Sequence, residues 1–453
     1  MTSAHKARTG AKPAHVLIIV QNLPIQVDRR VLLELHELLD SGYRVSVICP
    51  KGPGDPGREN IDGARIYKYA PAPPAKGLPG YALEFAYSWL RTALLSIVAR
   101  RRGGRFHVIQ ACNPPDTYWL LARFWRPFGA KFVFDQHDLN PELFLSRFGT
   151  PTSRGRALQL RGLTWLERMT YRSADRVIST NESYKSVAVN RGHRDPADVV
   201  VVRSGPDTGQ MRPIYPDKPR PDDSYLLAYI GIMGPQDDVD QILKVMAELR
   251  RRGHEDIRAV LMGFGDCLDE LRQECTELGL DDLVTFTGRV DRKSISEHLS
   301  SADIGLCPDL KTPLNDVSTM NKTMEYMAFA LPSVSYDLVE TRVSGGDSVR
   351  YVPSGDVAAF ADEVEGLIAD KDLRISLARK ARRRVSEHLD WRAQAKAYRG
   401  VFDTLTGRKG AADLEPVLEV READEWGRRY VPIDDAAEFE RYILQRRAGR
   451  GDV

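Results

Sequence analysis

The sequence predicts an α/β protein with two doubly wound parallel sheets in tandem, and three observations predict it. Short continuous apolar runs alternate with amphipathic helical stretches, the pattern of βαβ units with right-handed crossovers. Polar and Gly-rich turns follow the apolar runs in both halves, at the strand ends where such sheets bind ligands. The alternation breaks once, over 208–224, where Pro213, Pro216, Pro219 and Pro221 interrupt it, and then starts afresh. At 453 residues the chain exceeds what one core can hold.

In chain order, residues 1–13 are expected as a disordered start and 14–207 as the first domain. His15 to Val20 is a buried strand, Asp28 to Leu39 a helix ended by Gly42, and Arg44 to Cys49 the next strand. Ala64 to Tyr69 reads as a further strand. Residues 81–102 form an amphipathic helix in which Leu83, Tyr87, Leu90, Leu94 and Ile97 make one stripe, expected to cover the sheet. The functional alternative for this helix and its basic end is contact with a membrane surface. Val108 to Cys112, Lys131 to Asp135, Arg176 to Ser179 and Val199 to Val202 are strands, with a long helix over 153–172. After the linker 208–224, the second domain spans 225–390, with strands at Tyr225 to Ile230, Arg258 to Met262, Val284 to Thr287, Ile304 to Cys307 and Pro332 to Tyr336. A helix over 391–406 crosses back to the first domain in this reading. The charged tail 407–453, with a helical patch near Ala436 to Arg446, receives no role.

Composition excludes several classes. A formal charge of +2 gives no support to nucleic-acid binding, and the cysteines Cys49, Cys112, Cys267, Cys275 and Cys307 have no metal-ligand spacing. Buried thiols in a reducing cytoplasm are expected. No secretory signal or membrane-length apolar segment is read, so the expected place is cytoplasmic, extending to the inner face of the cell membrane.

The densest chemistry lies in 313–332. Ser318 and Thr319 offer hydroxyls suited to capping the helix that follows, whose free N–H groups and dipole favour an anion. Asn321, Lys322 and Glu325 in its first turns add an amide, a cation for phosphate and a carboxylate for two sugar hydroxyls. A nucleotide-sugar pocket follows from that combination. The bland alternative is a surface helix with an ordinary cap and ion pair.

Several motifs, in this order and spacing, resemble the GT-B glycosyltransferases, specifically the retaining family 4. They are Gln21-Asn22-Leu23-Pro24 with Asp28-Arg29-Arg30, Asp135-Gln136-His137-Asp138-Leu139, Thr180-Asn181-Glu182-Ser183 and Val202-Arg203-Ser204-Gly205-Pro206-Asp207. In the second half they are Gly231-Ile232-Met233-Gly234-Pro235-Gln236-Asp237, Gly263-Phe264-Gly265 and Asn321 to Ala328. The resemblance covers about residues 14–406. It implies two Rossmann-like domains facing a cleft, a nucleotide-diphosphate sugar donor (a UDP-sugar favoured) held by the second domain, and an acceptor held by the first. No prosthetic group and no catalytic metal are implied.

By the same resemblance, His137 contacts the transferred sugar near the reacting carbon, and Asp138 beside it is expected either to orient the ring or to approach the acceptor. Gly231, Gly234, Gly263, Gly265, Arg289, Ser318, Thr319, Asn321, Lys322 and Glu325 hold the donor, with Glu325 on its ribose. Asn22, Arg29, Arg30, Glu142 and Arg203 border the acceptor side, and Arg203 is a further candidate for the diphosphate. The chain departs from the family twice. The first acid of the family's glutamate pair falls at Val317, so Asp316 or Asn315 is expected to replace it. The loop Gly231 to Asp238 lacks the usual cations, which shifts the diphosphate's charge onto Lys322.

Asp238-Val239-Asp240 is formally a DxD sequence, but its place at a helix start argues against a metal loop. The acceptor is expected to be a saccharide or lipid-linked saccharide, as in cell-surface polysaccharide assembly. The alternatives are a nucleotide-sugar 2-epimerase or a degenerate transferase serving as a scaffold. A nicotinamide oxidoreductase is disfavoured because GxGxxG is missing after the first strand.

Overall fold

The computed structural model describes residues 13–72, 77–216, 220, 224–408 and 421–446. Residues 1–12 of the expected disordered start, and 409–420 and 447–453 of the charged tail, lie outside them. The chain divides into two compact units, one running to Arg203 and resuming at Gln394, the other from Ser204 to Ala393 and from Pro416 onward.

The first unit holds an eight-stranded sheet. Its strands are β1 (His15–Ile19), β2 (Arg44–Pro50), β3 (Arg58–Ile61), β4 (Ala64–Tyr69), β5 (Val108–Cys112), β6 (Lys131–Gln136), β7 (Arg176–Ser179) and β8 (Val199–Val201). Their order is β3-β4-β2-β1-β5-β6-β7-β8, parallel except for the β3–β4 pair. The central strands β1 and β5 are buried along their whole length, which is why they read as unbroken apolar runs. The second unit holds β9 (Tyr225–Ile232), β10 (Ile257–Phe264), β11 (Val284–Gly288), β12 (Ile304–Cys307), β13 (Ser333–Tyr336) and β14 (Val349–Val352). Their order is β11-β10-β9-β12-β13-β14, and all are parallel. In each sheet the strand order reverses beside the first strand, creating a switch point at β1/β5 and at β9/β12.

The structure corrects the sequence reading at four places. The helix Gly77–Gly103 does not cover the sheet with its leucine stripe: Leu83, Leu90, Leu94 and Ile97 are 70%, 57%, 57% and 36% exposed. Its buried side is instead Ser88, Thr92, Ser96 and Ala99. Small side chains let the helix approach closely, and Ser96 Oγ accepts from Trp125 Nε1 at 3.1 Å.

The expected linker is not a free connection, because Ile214 is buried and bridges Tyr430 within the second unit. The tail that had no role packs there too, placing Val431, Ile433, Phe439 and Tyr442 against Ala330 and Ala378. A helix at Asn140–Phe148 stands where only a polar cluster was expected. Among the described residues, no helix is long and apolar enough to cross a membrane.

Candidate functional site

In the first unit the residues gather at the carboxyl ends of β5 and β6. Asp135, on β6, is fully buried. Its Oδ2 accepts from His137 Nε2 at 2.8 Å and its Oδ1 from Arg30 Nη2 at 3.0 Å. Burial alone would raise the Asp135 carboxyl, but Arg30 and His137 together hold it far below the usual range. Burial likewise works against a charged His137, yet the charge and hydrogen bond of Asp135 lift the imidazole to about 9. His137 Nε2 also lies 3.2 Å from Arg30 Nε. One ring nitrogen cannot donate and accept at once, and a protonated ring gives its hydrogen to the carboxylate.

Glu34 lies 3.0 Å from Arg30 Nε, and burial followed by the Asp135 charge pushes its carboxyl well up. Glu34, Cys112, Asp135 and His137 each bring a ligand-type atom within 4.8 Å of the others. The guanidinium of Arg30 already supplies a cation to this acid cluster. The turn after β6 is tied by Asn113, whose Oδ1 accepts from the backbone N–H of His137 and Asp138 at 2.7 and 3.1 Å. Its Nδ2 donates to Asp138 O at 2.7 Å. Asp116 receives Asn113 and Asn140 at 3.1 and 2.6 Å, and burial raises it to about 7.

The acceptor-side residues are placed unequally. Asn22 is exposed after β1, and Arg29 is half-buried at the first turn of its helix. Arg30 is not on the rim as expected but inside the Asp135 cluster, with Nη1 also donating to Val202 O at 2.8 Å. Glu142 is engaged by both Nη atoms of Arg191, at 2.5 and 2.9 Å. Arg203 is buried at the end of the first unit.

In the second unit the site residues surround the ends of β9, β10 and β12. Gly231 and Gly263 are register partners, and a Cβ on Gly263 would overlap the Gly231 carbonyl. Bare backbone is therefore required at this strand end. Gly234 N donates to Asp237 Oδ2 at 3.1 Å, and the Gly265 backbone runs against Met233. The Arg289 guanidinium stacks 5.4 Å above the Phe264 ring.

Lys322 is buried on the helix Asn321–Ala328, its Nζ 2.6 Å from Asp309 Oδ1 and 5.4 Å from the Tyr229 ring centre. A Cβ built on Gly231 would sit 3.3 Å from Lys322 Cε, which puts the lysine stem directly beside that turn. Burial lowers the lysine and the charges of Asp309 and Asp237 more than offset it, so its ammonium is firmly held. Burial raises Asp237 to about 6; Lys322 opposes this and Asp309 adds to it. Asp238, also at about 6 from burial, accepts from Leu310 N at 2.8 Å. Glu325 is half-buried and Asn321 exposed on the same helix.

The capping expectation is corrected: the N-cap position is Met320, with no side-chain cap, and Ser318 Oγ donates back to Leu314 O at 2.7 Å. Thr319 precedes that position and is half-buried. Asp316 accepts from Val339 N at 2.9 Å and lies 3.3 Å from Lys311 Nζ, so its carboxylate anchors the helix Val339–Gly345. An open groove of about 660 Å³ beside the helix Lys371–Arg384 is lined by cations such as Arg379 and Arg383, but none of these strand-end residues lines it.

Sequence reasoning missed Glu34, Gln110, Asn113, Asp116 and Asp309. Asn113 and Asp309 follow strand ends and could have been found by position; Glu34 and Gln110 sit in apolar runs and gave no signal.

Family comparison agrees with the geometry. Residues 27–205 match the model described as Glycosyl transferase 4-like domain, and 224–370 match Glycosyl transferases group 1. Alpha-D-kanosaminyltransferase of Streptomyces kanamyceticus is 29% identical over 35% of this chain, a span covering 40% of that protein. Glycogen synthase of Mycobacterium tuberculosis is 24% identical over 85% of this chain and 92% of its own length. Anabaena HepE, solved in complex with UDP-glucose, superposes with a TM-score of 0.61 at 15% identity, over 87% of this chain and 99% of that one. The two matched models in tandem, on two parallel Rossmann-like sheets, make this chain a GT-B glycosyltransferase of the family 4 type.

Proposed function

We propose that the protein transfers a sugar, with retention of configuration, from a nucleotide-diphosphate sugar to a saccharide or lipid-linked acceptor at the inner membrane face. The observation that carries this reading is the placement of polar groups at strand ends in both sheets. The protonated His137 follows β6, and Lys322 and Glu325 lie on the helix after β12, beside a glycine-bared turn. UDP is the favoured nucleotide, in keeping with the UDP-glucose bound by HepE.

In this reading Glu325 takes the ribose hydroxyls. Gly231, Gly234 and their neighbours let the diphosphate approach backbone N–H groups. Lys322 supplies the positive end of the field that the departing diphosphate meets. The imidazolium of His137 steadies the transferred sugar. In this reading the acceptor oxygen attacks the sugar on the face from which the diphosphate departs, and the departing phosphate takes the acceptor's proton.

The exposed leucine stripe, with Arg100, Arg101 and Arg102 at its end, suits an acceptor delivered from a membrane surface. The decisive experiment is a donor screen by mass spectrometry on the full chain, with product anomers read by NMR. Transfer with retention, unaffected by EDTA, is expected. An inverted product, or an epimerised nucleotide sugar formed without acceptor, would overturn the reading.

A further inference from the structure

The turn after β9 carries an acid where the donor's diphosphate is read to sit. One of the backbone N–H groups of that turn is already taken, because Gly234 N donates to Asp237 Oδ2 at 3.1 Å. Gln236 Nε2 donates to the same oxygen at 3.1 Å. A carboxylate held by a backbone N–H of a glycine turn does what a phosphate oxygen would do there. The charge around it opposes a second anion. Lys322 brings one ammonium to this place, while Asp237, Asp238 and Asp309 bring three carboxyl groups. Asp309 already holds that ammonium at 2.6 Å. Tyr229 on β9 and Cys267 ahead of the helix Leu268–Glu277 also face Asp237, and burial keeps both neutral by pushing them up. Asp238 is committed elsewhere: its Oδ2 accepts from Leu310 N at 2.8 Å and from Asn315 Nδ2 at 3.3 Å, tying two loops together. The donors on Asp237 belong to its own turn.

We propose that Asp237 takes up a proton when the donor binds: the diphosphate takes over the Gly234 N–H, and the displaced carboxylate binds a proton from solvent and donates it to a phosphate oxygen. This rests on the reading of the glycine turn and Lys322 as the place of the diphosphate. One bond forms, the O–H on Asp237, and the proton comes from water or buffer. A carboxyl that gains it changes from acceptor to donor, so repulsion is exchanged for a hydrogen bond. Burial, opposed by Lys322 and helped by Asp309, already raises this carboxyl to about 6. A bound dianion raises it further. Below about pH 6 the residue is neutral beforehand, and the donor binds without proton uptake. Above that pH each donor bound takes up a proton, and affinity falls as pH rises until the residue ionises in the complex as well.

The test is calorimetry of UDP-glucose binding to the full chain near pH 7, in buffers of different ionisation heat, which counts the protons taken up. UDP-glucose serves as the probe because it lacks the terminal phosphate that titrates near neutrality in UDP. About half a proton to one proton per UDP-glucose is expected. Asp237→Asn keeps an oxygen for Gly234 N and copies the neutral acid. Its uptake is expected to fall to about zero, and its affinity near pH 7 to rise about tenfold, the cost of protonating a carboxyl about one unit above its titration. Asp240→Asn removes a carboxylate that faces Lys244 at 2.7 Å on the next helix, and should leave the proton count where it is.

No uptake in the unaltered chain, or uptake that persists in Asp237→Asn, overturns the proposal. Failure of the underlying reading shows differently, as UDP-glucose bound with undiminished affinity by Lys322→Met with Asp309→Leu. A correct seat without the proton step gives weakened binding in that double variant and no uptake in the unaltered chain.

Discussion

Lys322 is the residue on which structure and catalysis are hardest to separate. Its ammonium meets Asp309 at 2.6 Å in a buried pair, and the other oxygen of Asp309 is buried without a hydrogen-bond partner. Removing one member leaves a charge buried alone, which costs about 3–5 kcal/mol, whereas replacing both by apolar groups is often neutral. Lys322→Ala is therefore expected to lose stability by about that amount in chemical denaturation. The pair Lys322→Met with Asp309→Leu should recover most of it. If the lysine also serves the nucleotide, the stable double variant binds UDP at least about tenfold more weakly by calorimetry, the scale of one charge-assisted hydrogen bond. Unchanged UDP affinity in that variant would remove Lys322 from the donor site. Asp316 shows the same separation from the opposite side: a residue expected to face the sugar spends its carboxylate on Val339 N and Lys311.

Among the elements, the helix Gly77–Gly103 departs furthest from expectation. Its exposed leucines are followed by Arg100, whose guanidinium lies 5.7 Å from the Trp125 ring and 5.9 Å from the Phe128 ring, beside the exposed Phe124. An apolar stripe ending in cations suits anionic lipid. Leu90→Glu with Leu94→Glu is expected to abolish sedimentation with anionic liposomes at low salt while leaving the unfolding midpoint within about 1–2 °C, because exposed positions away from packing contribute little. Retained sedimentation would exclude this face.

Periodicity revealed the helix and its stripe but not which side docks, since small polar residues such as Ser88 and Thr92 can line a close contact as well as leucines can. The short strands β3 and β14 escaped for another reason: at four residues each, with half-exposed patterns, they carry almost no alternation to read. His137 was legible because a strand end announces it. The hydrogen bond between Tyr398 and Gln110 was not, because the two residues meet across 288 positions of sequence.

For the whole molecule, two parallel sheets and their order of elements were legible from apolar runs and breakers, while the affiliation of the chain's last stretches was not. The tail residues Val431, Ile433, Phe439 and Tyr442 are buried on the second unit, and Arg446 donates into it at Ala302 O. Ending the chain at Arg408 is expected to lower the unfolding temperature of that unit by more than about 5 °C in calorimetry, given about 1.5–3 kcal/mol for each large apolar side chain uncovered. An unchanged transition would show the tail to be dispensable. The return of the chain to the first unit at Gln394 has a consequence in time. As the polypeptide leaves the ribosome, the first sheet can form early, but its Gln110 carbonyl must wait for Tyr398, nearly three hundred residues later. The second unit waits longer still, for Val431, Ile433, Phe439 and Tyr442. Neither unit is finished when its own sheet is.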